Sequence, residues 1–150
     1  EMVGAAARGD PQAISFPRPV MPRGYEFSFS GLKTAVRYFI DRHQGEISQP
    51  MVADIAASFQ QAVVEVLVGK TVRAAVETGT RVISAVGGVA ANSALRAALS
   101  SAGEASGLKV LLPPPALCTD NGATVAATAY LRRKLATSGG PISPYSTRAY

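Results

Sequence analysis

Two short stretches of this chain place a polar side chain just beyond an apolar run, at the start of a predicted helix, and contain residue types that bind anions or metals. The first is Gly87-Gly88-Val89-Ala90-Ala91-Asn92, directly after the apolar run 82–86, and the second is Cys118-Thr119-Asp120-Asn121-Gly122-Ala123. In an open α/β sheet, ligands bind at the carboxyl ends of the strands, where backbone N–H groups and helix N-termini favour phosphate. Two such junctions in one chain predict a nucleotide-like ligand.

Asn92 and Asp120 are the candidate ligand-binding side chains at these junctions, and each has an alternative role. Asp120 could supply one carboxylate ligand to a metal site whose other ligands come from elsewhere. Both residues could instead cap a helix, because Asn and Asp accept hydrogen bonds from the free N–H groups of the first turn. From the residues alone, capping is the more common role for Asp120, whereas capping and ligand contact are compatible for Asn92. Gly87 and Gly88 suit a tight turn and also let a ligand approach the backbone closely.

Other kinds of chemistry have less support in this sequence. The chain contains one histidine, His43, and one cysteine, Cys118, so it cannot complete a site of three or four His or Cys ligands. Cys118 lacks a recognisable histidine partner, and a buried structural thiol is the favoured interpretation over a nucleophile. Lys33 could reach an anion near a helix start, although a surface or ion-pair role is more common for lysine.

Composition indicates a globular domain with a basic surface. The chain has 150 residues, of which 47% are hydrophobic, and a formal net charge of +5, with a pI near 9.7. These values allow one sizeable core and a polyanionic partner such as RNA. The densest basic cluster is Arg132-Arg133-Lys134, which also suits a helix C-terminus. The single cysteine fits a reducing compartment, and the first residue, Glu1, suggests processing or a piece of a longer protein.

We expect no membrane span in this sequence. Lys70, Arg73 and Glu77 interrupt the longest apolar windows, whereas a span needs about 20 apolar residues. No secretory signal is visible either.

The elements that would position the two junctions alternate between strands and helices. Alternating residues 26–30 predict a strand, and Ser30 could cap a helix from Gly31. After a loop over 41–49, three- and four-residue spacing predicts a long amphipathic helix over 51–78, which Gly79 would end.

The second half of the chain repeats the pattern of a strand followed by a helix. Residues 81–86 and 109–112 predict parallel strands, the first covered on both faces. Helices should run from Asn92 to about Ser101 and from Ala123 to about residue 138, which indicates an α/β fold. Residues 1–24 contain many Gly and Pro and predict a connecting arm with at most one short helix. Residues 141–150 predict an extended or disordered tail.

Four blocks of the sequence resemble, in order and spacing, the C-terminal half of the TsaD family. These are the bacterial tRNA N6-adenosine threonylcarbamoyltransferases, formerly labelled Gcp. The residues that carry the resemblance are Phe27–Thr34, Ala53–Gln60, Gly87–Asn92 with Leu95-Arg96, and Cys118–Ala123. Residues 25–140 would then form the C-terminal part of the family domain.

The resemblance implies an actin-like ATPase (ASKHA) fold of two RNase H-like lobes, of which this chain would be the incomplete C-terminal half. The family moves a threonylcarbamoyl group from threonylcarbamoyl-AMP to N6 of adenosine 37, in tRNAs that read codons starting with A. Asn92 matches the asparagine that contacts the adenylate, with Gly87 and Gly88 as further candidates. Asp120 matches an aspartate that ligates the catalytic metal, usually iron.

The family's paired metal-binding histidines and its glycine-rich substrate loop belong to a first half that this sequence does not match. We therefore expect the 150 residues alone to be inactive and to bind metal poorly. The partners implied are tRNA, threonylcarbamoyl-AMP, TsaB and TsaE, in the cytoplasm and without a membrane. The alternatives are a non-catalytic partner-binding remnant of the fold and, less favoured, a sugar-kinase-like phosphotransferase.

Overall fold

The computed structural model describes residues 2–19, 24–43, 45–119 and 121–135. In these ranges the chain forms a helix-rich α/β structure with a small parallel sheet. Two 3₁₀ helices, Gly88–Ala91 and Pro115–Leu117, follow the two strands. The elements are α1 (Met2–Ala6), α2 (Ser30–Arg42), α3 (Gln49–Glu77), β1 (Val82–Ser84), α4 (Ser93–Ala105), β2 (Lys109–Leu111) and α5 (Gly122–Leu135).

The long helix α3 begins and ends at local signals that the sequence contains. Ser48 occupies the cap position and accepts the Met51 N–H, with Pro50 in the first turn. At the other end Gly79 has φ +69°, and the Thr80 N–H donates to the Ala75 carbonyl at 2.9 Å. This is the Schellman arrangement that glycine favours, and it confirms the predicted stop at Gly79.

Helix α3 is the centre of the fold rather than an amphipathic helix with one buried side. It contacts α1, α2, α4 and β1, and small side chains let these elements approach it closely. By length and composition α3 could cross a membrane, contrary to what its charged residues suggested, but a core helix passes the same test. Its buried residues lie all around the helix: Ala53, Ala56, Ala57, Ser58, Ala62, Val64, Val66, Lys70 and Ala75.

Residues 2–19 lie along α3 and contain one short helix, as expected. The Ser58 hydroxyl accepts the Ile14 N–H at 3.1 Å and donates to the Asp10 carbonyl at 3.2 Å. Asp54, one turn earlier on α3, accepts the Asp10 N–H at 2.8 Å. Phe16 then enters the core beside α2 and α3. Polar side chains of α3 thus replace the hydrogen bonds that this irregular backbone lacks.

The strand predicted over residues 26–30 does not form. Residues 26–29 have no regular structure and α2 begins at Ser30. The Glu26 carbonyl accepts from the Lys70 ammonium of α3, so a helix side chain takes the place of a neighbouring strand. The predicted cap is also wrong by one residue: Phe29 holds the cap position, without a side-chain hydrogen bond.

The two strands pair in parallel, as predicted, with Ile83 opposite Val110. Helices α3 and α4 cover one face, and Gly103 of α4 lies so close to Val110 that a Cβ atom would collide with it. The other face is open in the described part of the chain, since Val82 and Leu111 are 44% and 45% exposed. The prediction of a strand covered on both faces is therefore wrong here.

Helices α4 and α5 differ in how they are packed. Helix α4 continues to Ala105, four residues beyond the predicted end, because its later turns pack on β2. Helix α5 forms where the sequence predicted it, but residues 122–134 are exposed along its whole length. The predicted tail, residues 141–150, lies outside the described residues.

Candidate functional site

The carboxyl ends of β1 and β2 lead into two segments that lie side by side. We call residues 87–92 the glycine turn and residues 112–119 the proline loop. Each contains a 3₁₀ helix, and the two 3₁₀ helices contact one another. Since parallel strands end at the same edge of a sheet, the two junctions predicted from sequence lie at one edge.

The two positions of the glycine turn that hold glycine differ in how strictly the backbone requires it. Gly87 has φ +92°, a conformation that residues with a Cβ rarely adopt, and its carbonyl accepts the Ala90 N–H at 2.9 Å. Gly88 has no positive φ, and a Cβ atom there would meet nothing within 4 Å. The chain's own structure therefore requires glycine at position 87, whereas position 88 leaves open space beside the backbone.

Asn92 caps α4 and also reaches α3. Its Oδ1 accepts the Leu95 N–H at 3.0 Å and its Nδ2 donates to Gln60 Oε1 at 2.8 Å. A carboxamide has two N–H groups and two acceptor sites on its oxygen, so one donor and one acceptor position remain. Capping fixes the orientation of Asn92 and leaves it able to contact a ligand.

Arg96 joins the glycine turn to the proline loop. Its Nη1 donates to the Ala90 carbonyl at 3.0 Å and lies 3.9 Å from the Cys118 sulfur. Cys118 is buried, and its sulfur lies 3.6 Å from the Pro114 carbonyl oxygen. The predicted structural thiol is confirmed as buried, and the two contacts of Arg96 were not predicted from the sequence.

Asp120, the predicted metal ligand, lies outside the described residues. Its neighbour Asn121 caps α5, because Asn121 Oδ1 accepts the Thr124 N–H at 2.9 Å and the Thr124 hydroxyl at 3.0 Å. The cap position of α5 is therefore filled by Asn121.

Three of the four sequence blocks meet in one groove, with a volume of about 550 Å³. Phe27, Phe29 and Lys33 line it from the start of α2, Phe59 and Gln60 from α3, and Val89 and Asn92 from the glycine turn. Most of the lining is apolar, with polar groups from Lys33, Gln60 and Asn92. A ligand with a flat apolar part and a polar or anionic part suits such a lining.

Gln60 and Arg96 were not predicted as site residues, although a sequence signal existed for each. Gln60 ends the second block, Ala53–Gln60, and Arg96 lies four residues after Asn92, one helical turn along α4. Spacing shows that Asn92 and Arg96 share a face, but only the fold shows what that face meets.

The described residues do not fit a complete metal site. No three His, Cys, Asp or Glu side chains cluster within the described ranges. Cys118 is buried among carbonyl groups, and His43 lies after α2 beside a different cavity, lined by Phe16 and Tyr38. Any metal at this sheet edge would need most of its ligands from outside these residues.

Comparison with known proteins gives a match over most of the chain. The sequence profile of the family described as TsaD, tRNA N6-adenosine threonylcarbamoyltransferase, matches residues 2–127.

Curated relatives with that same description are about half identical to this chain. The protein from Symbiobacterium thermophilum is 50% identical over 125 residues, which are 83% of this chain and 36% of the relative. The protein from Thermotoga neapolitana is 49% identical over 130 residues, which are 86% of this chain and 38% of the relative. The protein from Moorella thermoacetica is 50% identical over 141 residues, which are 91% of this chain and 41% of the relative. The chain thus spans well under half the length of the relatives it matches.

Proposed function

Because this chain belongs to the TsaD family, we propose that it is the C-terminal part of a tRNA N6-adenosine threonylcarbamoyltransferase. The observation that carries the proposal is the match over residues 2–127, together with relatives about 50% identical that bear this name. The complete protein would have the actin-like, two-lobed fold. The open sheet face and exposed α5 are consistent with a missing neighbouring lobe.

We propose that the reaction is an acyl transfer, in which the threonylcarbamoyl group moves from an adenylate to an amine. The adenine N6 amine attacks the carbamoyl carbon of threonylcarbamoyl-AMP, a C–N bond forms, the bond from that carbon to the phosphate oxygen breaks, and AMP leaves. The amine gives up one proton. No covalent enzyme intermediate is needed. This agrees with the position of the Cys118 thiol, which is buried and lies beside the Pro114 carbonyl oxygen.

Within this chain, the glycine turn and Asn92 would hold the adenylate. The free donor and acceptor of Asn92 bind polar atoms of the substrate, and the open space at Gly88 lets the substrate approach the backbone. Lys33 adds a positive charge at the groove, which favours a phosphate-bearing ligand.

We propose Asp120 as one ligand of a divalent metal, expected to be iron, with the other ligands outside this chain. The partners would be tRNA, TsaB and TsaE, in the cytoplasm and without a membrane. These assignments rest on the family and on the sequence blocks around Asp120 and Asn92.

A chimera tests the proposal. This chain replaces the corresponding segment of the Moorella thermoacetica relative, and transfer from threonylcarbamoyl-AMP to tRNA is measured by nucleoside analysis, with TsaB and TsaE present. We expect the chimera to modify tRNA and the isolated 150 residues to modify none. Transfer by the isolated chain would contradict the incomplete-enzyme interpretation, and a folded but inactive chimera would contradict the assigned activity.

The role of Asn92 has its own test in the chimera. Asn92→Asp keeps a good helix cap but removes the Nδ2 donor and adds a negative charge. We expect transfer to fall at least about tenfold, while loss of the hydrogen bond to Gln60 lowers the free energy of unfolding by only about 1 kcal/mol. The control is Gln49→Ala, which removes an exposed carboxamide at the start of α3. Equal activities for both variants would remove Asn92 from the substrate site.

The alternative function is a non-catalytic partner-binding remnant. The observation that favours it is exposed apolar surface on α5, where Val125 is 68% and Leu131 is 54% exposed. An inactive, folded chimera whose Moorella parent is active would support this alternative.

A further inference from the structure

The side chain of Arg96 connects two loops that otherwise belong to different strands. Its Nη1 lies 3.0 Å from the Ala90 carbonyl oxygen in the glycine turn and 3.9 Å from the Cys118 sulfur in the proline loop. Both contacted residues are buried, Ala90 at 3% and Cys118 at 5% exposure. A cation that reaches two buried groups of separate loops has a fixed position.

The location of Arg96 on α4 is unfavourable for a cation on its own. It lies four residues after the cap Asn92, near the positive end of the helix dipole, where a cation is disfavoured. The hydrogen bond to Ala90 offsets this cost. Both contacts come from Nη1, which carries two N–H donors, and the rigid planar guanidinium sets the direction of each donor more strictly than a rotatable lysine ammonium does.

The contacts continue beyond the guanidinium on both sides. In the proline loop, the Cys118 sulfur lies 3.8 Å from the Pro113 carbonyl oxygen and 3.6 Å from that of Pro114. In the glycine turn, the Ala90 N–H bonds the Gly87 carbonyl, and the Arg96 N–H bonds the Asn92 carbonyl. A continuous set of contacts therefore runs from Gly87 to Pro113.

We propose that Arg96 is a positioning residue that holds the glycine turn and the proline loop in one arrangement. Asn92, at the end of the glycine turn, is thereby presented to the adenylate. The identity of that substrate rests on the proposed function, whereas the bracing of the two loops rests on the contacts alone.

The chain's single cysteine gives a direct measure of the brace. Cys118 reacts with a thiol reagent such as dithionitrobenzoate only when the proline loop opens or the chain unfolds. We expect Arg96→Ala to accelerate labelling about tenfold more than its loss of unfolding free energy explains, and Arg96→Lys to restore only part of the protection.

Two control variants separate local opening from global destabilisation. Leu32→Ala weakens the core cluster that joins α2 to α3, which contains no residue of either loop, so its labelling should follow its global stability. Arg37→Ala removes an arginine that is 81% exposed and should leave labelling unchanged. If labelling of Arg96→Ala follows its global stability, as expected for Leu32→Ala, the brace is overturned.

The chimera shows whether the brace matters for the substrate. We expect Arg96→Ala to raise the KM for threonylcarbamoyl-AMP about tenfold and to change kcat much less. An unchanged KM together with accelerated labelling would overturn the positioning role. If the unsubstituted chimera is folded but inactive, the proposed function fails, and Cys118 labelling still decides whether Arg96 joins the loops.

Discussion

At the scale of single residues, the two glycines of the glycine turn separate a folding requirement from a binding one. Gly87 is held at positive φ, whereas Gly88 is not and has open space around it. The sequence shows only that two glycines are adjacent. Their backbone conformations show that one of them serves the turn and that the other is free to serve a ligand.

Gly87→Ala should therefore mainly lower folding stability, whereas Gly88→Ala should mainly weaken substrate binding. We expect Gly87→Ala to lower the free energy of unfolding by about 1–2 kcal/mol, because alanine is strained at positive φ. Gly88→Ala should change it by less than about 0.5 kcal/mol yet raise the KM for the adenylate in the chimera. Denaturant titration and steady-state kinetics measure the two effects, and a large stability loss for Gly88→Ala would contradict this assignment.

Glu65 gives a pH-dependent contribution to stability away from the site. The Arg18 guanidinium donates to it at 2.7 Å and the Gln61 amide at 2.8 Å. These hydrogen bonds, that from Arg18 first, hold the pKa of Glu65 below its ordinary value of 4.5. Since the folded pKa is the lower one, the stabilisation is present above pH 4.5 and is lost as pH falls through the folded value.

We expect Glu65→Gln to lower the free energy of unfolding at pH 7 by at most about 1 kcal/mol, because the pair is partly exposed. The difference between the two proteins should shrink as pH falls below 4.5. Denaturant titrations at several pH values measure it, with Glu104→Gln, an exposed carboxylate of α4, as the control. A difference that grows towards acid pH would exclude the Arg18 pair as its source.

At the scale of elements, α3 contains one glycine, Gly69, and is followed by another, Gly79, and substitution by alanine should affect stability in opposite directions at the two positions. Gly69 is exposed within the helix, with nothing near a would-be Cβ atom, whereas Gly79 follows the helix at φ +69°. No packing reason for Gly69 is visible in the sequence, and the described part of the chain contains none.

Gly69→Ala should raise the free energy of unfolding of the isolated chain by about 1 kcal/mol, because alanine favours helix. Gly79→Ala is the matched variant and should lower it by a similar amount, because the Schellman turn needs positive φ. Thermal and denaturant unfolding measure both. If Gly69→Ala destabilises the chain, position 69 is covered in solution by something outside the described contacts.

The segment 26–29 illustrates why elements can be misassigned from sequence. The alternation of Phe27 and Phe29 with serine has the period of a strand, and their rings do stack, 6.4 Å apart and nearly parallel. A strand also needs a neighbour for its backbone groups, and here Lys70 of α3 binds the Glu26 carbonyl instead. That neighbour lies 44 positions away in the sequence.

At the scale of the whole molecule, packing is strong around α3 and absent around α5 in the described residues. The clusters around Ala62 and Val64 join α3 to its neighbours. By contrast, Val125, Tyr130 and Leu131 of α5 are all more than half exposed. Helix stability in proteins comes mainly from packing of an apolar face, so the two helices should differ in stability.

We expect backbone amides of α5 to exchange with deuterium much faster than those of α3 in the isolated chain. In the chimera, where the rest of the family protein is present, α5 should become protected. Hydrogen exchange with mass spectrometry of the peptides covering 49–77 and 122–135 measures this, with α4 as an internal reference. Equal protection of α3 and α5 in the isolated chain would contradict the prediction.

The sequence by itself determined the family, through four separate blocks in order and spacing, and three local features: the cap at Asn92, the start of α3 near Pro50 and its stop at Gly79. Each of these local features depends on residues within a few positions of one another. Only the tertiary structure decided that 26–29 is not a strand, that α3 is buried all around and that Arg96 joins two loops. Those outcomes depend on partners dozens of residues away, because nonlocal hydrogen bonds and packing determine them, and local residue patterns do not encode such partners.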